Sequence, residues 1–308
     1  MAEAGILEYK IPFTLMGYLA KETEYLPWQS AIDSIRKIGN YFGSEPEIKH
    51  LRAYIKKIGL PLYHNASVDH VTDTYLNDDT YFENLLESRS IAFMCSARDA
   101  SCLSTYVDHF KTQFLDNCDG TQMSSKCSKA SVPLRAGIYC EGVAAGDRGV
   151  WARVFEAYQM ESNQVEKSSL LYALSCSREV DVLKELLAHA LNWPAGVVRL
   201  QDVDSVFSFV SVNPTGRAFL FGYLLDKWST IYASLKSDQG SLRHTVKYCT
   251  NPIRTKWEVD ELENFQKTQP TELAKHAFEE AIALGRQRVA WISKNYDSLT
   301  NFFKIQTL

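Results

Sequence analysis

The segment VDVLKELLAHAL, residues 180–191, sets Val180, Leu183, Leu187 and Leu191 on one helical face, flanked by Val182, Leu186 and Ala190. The same spacing recurs elsewhere. Phe221, Leu225, Trp228, Tyr232 and Leu235 line a second face. Phe278, Ile282, Gly285, Val289, Ile292, Tyr296, Leu299 and Phe303 alternate steps of four and three, the heptad stripe of a terminal helix docking on its neighbours. Alternating strand patterns are scarce, and only 15 glycines and 9 prolines interrupt 308 residues. A chain patterned this way is read as all-α.

Start and stop signals divide it into many short helices. Asn213-Pro214 is an N-cap followed by proline at the first helical position. Thr255 with Glu258 three residues on is a capping box. Gly59-Leu60-Pro61 reads as the end of a helix that begins near Glu47. Antiparallel pairs of roughly 40 residues, stacked about seven or eight times, would form a superhelical solenoid of the HEAT/armadillo kind. The letters show no exact repeat, so this architecture follows from helix length. The polar run 116–133 is an excursion between like helical segments rather than a linker, so residues 1–308 read as a single helical domain.

The net charge is −4, which gives no reason to expect nucleic acid. No apolar run is long enough to span a membrane. The opening MAEAGILEYKIPF lacks the basic flank of a secretory signal. The seven histidines include no H-E-x-x-H and no pair four apart; His64 and His70 with Asp69 and Asp73 read as a solvated group. Walker, G-x-G-x-x-G and G-x-S-x-G loops are absent. Asn213–Arg217 could present amides to an anion, but reads first as a capped helix entry. Arg36, Lys37, Lys49, Arg52, Lys56 and Lys57 form a basic stretch, followed by an acidic one through Asp69, Asp73, Asp78, Asp79, Glu83 and Glu87. Solvated helix faces explain both; a surface that orients a charged partner is the alternative.

The seven cysteines are more informative. In CSARDASC, residues 95–102, the spacing fits neither a C-x-x-C redox motif nor a zinc ribbon. Buried thiols and a disulfide both remain open on that spacing. Cys140 and Cys176 lie in two further helical segments, Cys118 and Cys127 bracket the polar excursion, and Cys249 is left over.

YLAKETEYLPWQSAI resembles the start of the C-terminal helical domain of aminopeptidase N-like zinc peptidases, the endoplasmic-reticulum-aminopeptidase-like domain of the gluzincin family. The likeness continues in order through MCSARDASC, LRAGIYCEGVAAG, LLYALSCSREVDVLKELL, LQDVDSVFSFVSVNPTGRAFLFGYLLDKW and VAWISKNYDSL. It implies an all-α superhelix that closes over a catalytic domain and walls a peptide-holding chamber. It also implies disulfides Cys95–Cys102 and Cys140–Cys176, and with them a secreted or cell-surface setting. A third pair, Cys118–Cys127, has no counterpart in the family pattern. In that compartment Asn65-Ala66-Ser67 becomes a glycan acceptor.

The zinc-binding H-E-x-x-H and the G-A-M-E-N loop of the family belong to a preceding domain, absent here, so no catalytic or metal residue carries over. The opening residues look like the tail of a longer helix, with Met1 an added start. The expectation is a non-catalytic domain that caps the active-site chamber and limits or contacts peptides, with zinc only in the catalytic domain it partners. The alternative is a module that binds an extracellular protein through its concave or exposed surface. Arg135, Arg178 and Arg217 are the candidates to face a peptide carboxylate, since a guanidinium fits that group in bidentate fashion. Trp228 is expected to be buried and Trp291 to anchor the last helix.

Overall fold

The computed structural model describes residues 7–307, and every regular element among them is helical. Residues 1–6, where the start of the opening helix tail was expected, lie outside the described residues. The chain divides into two compact units, one formed by Met1–Asp119, Lys126–Glu141 and Lys294–Leu308, the other by Gly120–Ser125 and Gly142–Ser293. The helices are α1 (Lys10–Leu15), α2 (Tyr25–Phe42), α3 (Ile48–Tyr63), α4 (Val68–Thr74), α5 (Tyr81–Ser96), α6 (Ala100–His109), α7 (Ser124–Cys127) and α8 (Arg135–Ala145). There follow α9 (Arg148–Met160), α10 (Gln164–Leu174), α11 (Val180–Leu191), α12 (Val203–Val212), α13 (Pro214–Leu235), α14 (Gln239–Thr250), α15 (Lys256–Thr268) and α16 (Lys275–Gln306).

In the first unit α2 buries Trp28, Ile32, Ile35 and Phe42, all from one stripe. Each such side chain contributes about 1.5–3 kcal/mol by leaving water. Helix α3 does not stop at Gly59-Leu60-Pro61 but runs through to Tyr63. Pro61 falls in the last turn and forfeits the intrahelical bond its N–H would make to Lys57 O, a loss confined to the helix end. Gly59 is a packing residue: a Cβ there would meet Met94 Sδ at 3.0 Å and Phe93 Cδ1 at 3.3 Å. Glycine at this point brings α3 close to α5. An aromatic group of Phe13, Tyr54 and Phe303 closes the core, with Phe13 4.8 Å and Tyr54 5.2 Å from the Phe303 ring. The Tyr54 hydroxyl donates to Phe13 O at 2.7 Å.

After α6 the chain makes a π-helical turn, Phe110–Leu115, in which Asp116 N–H reaches back to Lys111 O at 3.0 Å. This wider turn holds Phe110 and Phe114 stacked 5.4 Å apart, and Phe114 lies 4.5 Å from Tyr139. The run 116–133 contains one helical turn, α7, and buries Cys118, Ser124, Ala130 and Ser131.

In the second unit successive helices are neighbours: α9 with α10, α11 with α12 and α13, and α14 with both α12 and α13. Helix α11 buries Val182, Leu183, Leu186, Leu187, Ala190 and Leu191, while Val180, its first residue, is exposed. The stripe of α13 is rotated from the one expected: Leu224 and Ile231 are buried, and Leu225 and Tyr232 only partly. Trp228 is buried, 5.2 Å from the Phe278 ring, and its Nε1–H donates to Pro270 O at 2.9 Å. Trp291 is half-buried.

Both sequence-derived caps are present. Asn213 Oδ1 accepts Thr215 N–H at 2.8 Å, and the Asn213 amide donates at 2.7 Å to the carbonyls of Ser175 and Ser177. Thr255 and Glu258 make the reciprocal bonds of a capping box.

Candidate functional site

Cys95, in the last turn of α5, is joined by a disulfide to Cys102, in the first turn of α6. Between them Asp99 caps α6 by accepting the N–H groups of Ser101 and Cys102 at 3.1 and 3.3 Å. Arg98 has φ 59°, left-handed backbone that costs a side-chain-bearing residue about 1–3 kcal/mol. The fold fixes it on every side. Its guanidinium donates to both Glu141 oxygens at 2.8 Å, and Lys56 Nζ donates to its carbonyl at 3.1 Å. Cys118 and Cys127 form a second bridge, and Cys140 and Cys176 are disulfide-bonded as well. Cys249 is a buried free thiol, and burial raises its pKa far above the ordinary thiol value.

The arginines singled out from the sequence stand in three different settings. Arg135, at the start of α8, donates from Nε and Nη2 to Ala130 O at 3.2 and 2.8 Å and closes the end of the excursion. Arg178 is exposed in the turn before α11. Arg217 lies in the first turn of α13, its N–H bound to Asn213 O at 2.8 Å. Burial first, then the neighbouring guanidiniums of Arg288 and Arg254, pull its pKa down to about 10. Gly216 sets this turn, because a Cβ there would lie 2.1 Å from Val210 O.

Arg254 and Arg288 hold the other side of the group. Arg288, on α16, donates to Asn251 O, to Ile253 O at 3.1 Å and to Asn251 Oδ1 at 3.1 Å, covering the C-terminus of α14. Arg254 N–H donates to Glu258 Oε2 at 2.9 Å, so the α15 capping box also fixes Arg254. Arg288 further lines a cavity of about 120 Å³ with Lys247, Asn251, Glu280 and Leu284. Sequence reasoning found Arg217 but missed its two companions. Arg254 was overlooked beside a stronger signal, the cap at Thr255. Arg288 falls off the heptad stripe, next to Val289, and no periodicity marks it.

A buried carboxylate organises the same unit. Glu161 accepts Ser125 N–H at 2.8 Å, Ser125 Oγ–H at 3.0 Å, Ser162 N–H at 2.9 Å and Asn163 N–H at 2.7 Å. Burial pushes its carboxyl up, but these donors outweigh it and hold the pKa below the usual carboxylate value.

His70 Nδ1 is 2.6 Å from Glu87 Oε2, and His109 Nε2 is 3.9 Å from Asp69. Among the described residues no three His, Cys, Asp or Glu side chains converge as metal ligands. No helix of the described residues is long and apolar enough to cross a membrane.

The all-helical elements and bridged cysteines agree with the class that the relatives of this chain define. Residues 1–287 match the model of the ERAP1-like C-terminal domain, and the chain belongs to that family. It is similar to an aminopeptidase N of Haemonchus contortus, 35% identical over 307 residues, all of this chain and 32% of that protein. It is 24% identical to aminopeptidase N of Rattus norvegicus and 27% to glutamyl aminopeptidase of Sus scrofa. In each case 98% of this chain is covered, against 31% and 30% of the relative. The chain therefore spans about a third of the length of these relatives, as their C-terminal domain.

Proposed function

We propose that this domain caps the active-site chamber of an exported zinc aminopeptidase and meets the far end of the peptide with Arg217. Zinc and the hydrolytic residues would belong to the catalytic portion of that parent. The observation that carries the peptide contact is the group of Arg217 and Arg254, at the starts of α13 and α15, with Arg288 from the middle of α16. Neighbouring guanidiniums concentrate positive charge and planar N–H donors at one place, which suits a carboxylate that accepts bidentate bonds. The helix-on-next-helix neighbours of the second unit support stacking of pairs as a superhelix, whose concave wall would limit substrate size. Bridged cysteines, together with aminopeptidase N relatives, support a cell-surface or secreted setting.

A second reading, a docking module for an extracellular protein, is favoured by one observation. Tyr81 and Phe82 are exposed and lie 5.4 Å apart, and Tyr25 stands 6.1 Å from Phe82 beside exposed Leu26. Adding residues 1–308 to the catalytic portion separates the two. A cap binds it and changes cleavage of long peptides while leaving short aminoacyl reporters alone. A docking module leaves both unchanged, and that result would overturn the cap.

A further inference from the structure

We propose that Asn65 carries an N-linked glycan; the inference rests on the exported setting argued above. Asn65-Ala66-Ser67 has the acceptor asparagine, a middle residue other than proline, and the hydroxyl two positions on. No other asparagine of the chain meets all three conditions. Asn213-Pro214-Thr215 has the outline but carries proline in the middle, and its asparagine is buried as the cap of α13.

The fold presents the triplet as a modification site. It forms the turn between α3 and α4, with Asn65 and Ser67 both exposed. Ala66 N–H closes the turn on Tyr63 O at 2.9 Å. Ser67 Oγ caps α4 by accepting His70 N–H at 3.4 Å, and Ser67 N–H donates to Glu87 Oε1 at 2.8 Å. Glu87 Oε2 in turn holds His70 Nδ1 at 2.6 Å. Backbone, Ser67 and Glu87 therefore fix the turn. The Asn65 carboxamide makes no hydrogen bond to any described residue, so a sugar on Nδ2 displaces nothing.

The donor is an oligosaccharide carried on a lipid pyrophosphate. Asn65 Nδ2 forms the bond to the anomeric carbon, the carbon–oxygen bond to the pyrophosphate breaks with its electron pair, and one amide proton is released. No oxidant or reductant is involved.

The test uses the full-length parent secreted from a eukaryotic cell, with the Asn65 peptide weighed before and after peptide N-glycosidase in ¹⁸O water. The expected result is a glycan mass on Asn65, and after the enzyme an ¹⁸O-labelled aspartate in its place. Asn65→Gln abolishes the glycan, while Ser67→Thr, which keeps both the hydroxyl and the cap, retains it. Bare Asn65 in protein whose Cys95–Cys102 bridge has formed overturns the proposal alone. Reduced Cys95 and Cys102 overturn the exported setting and this proposal with it.

Discussion

Arg98 and Arg217 sit in the two units of one chain and are held by opposite chemistry. Arg98 meets a carboxylate, Glu141, through two equal bonds, and a disulfide fixes the loop that carries it. Around Arg217 the neighbours are two further guanidiniums: Arg288, which donates to the carbonyls of Asn251 and Ile253, and Arg254, whose backbone N–H donates to Glu258. A bidentate carboxylate ties one arginine into the loop that carries it, whereas the second region gathers three arginines from separate parts of its unit.

The strongest way to break the second region is Gly216→Ala. The new Cβ would strike Val210 O at 2.1 Å, which is backbone and cannot swing aside. Loss of about 3 kcal/mol in urea unfolding is expected, with Arg217 displaced. The first region breaks more gently. Cys95→Ser with Cys102→Ser opens a short loop and lets Arg98 leave its left-handed conformation. That pair lowers stability by about 2–3 kcal/mol by the loop-entropy estimate, read from the same unfolding curves.

Glu161 sharpens the comparison, since it is a carboxylate bound by backbone N–H groups where Glu141 is bound by an arginine. Its folded-state pKa lies below the ordinary value, so its contribution is complete above about pH 4.3 and is lost as pH falls through the folded value. Glu161→Gln is expected to cost about 1 kcal/mol at neutral pH. That difference from the wild type should shrink on acidification when unfolding is followed from pH 7 to 3.

Much of the fold was legible in the sequence because helices announce themselves through apolar period and caps. Asn213-Pro214 and Thr255 with Glu258 stand where the letters put them. Periodicity is less informative about rotation. On α13 the buried line passes through Leu224 and Ile231 rather than Leu225 and Tyr232, because both rows are apolar and only packing chooses between them. Punctuation also misled at Gly59 and Pro61, where a close helix contact, not a stop, required the glycine. The site was half legible. Arg217 follows a recognisable helix start, but Arg254 and Arg288 are brought near it only by tertiary structure. The pairing of Arg98 with Glu141, 43 residues apart, left no mark in the letters either.

The most direct measurement compares one peptide as its free acid and as its C-terminal amide, by kcat/KM in the full-length parent enzyme. A carboxylate held by Arg217 predicts that the acid is favoured roughly tenfold, equivalent to about 1.4 kcal/mol, and that Arg217→Gln erases the preference through KM with short reporters untouched. Equal rates for acid and amide in the wild type, or a preference that survives Arg217→Gln, would contradict it.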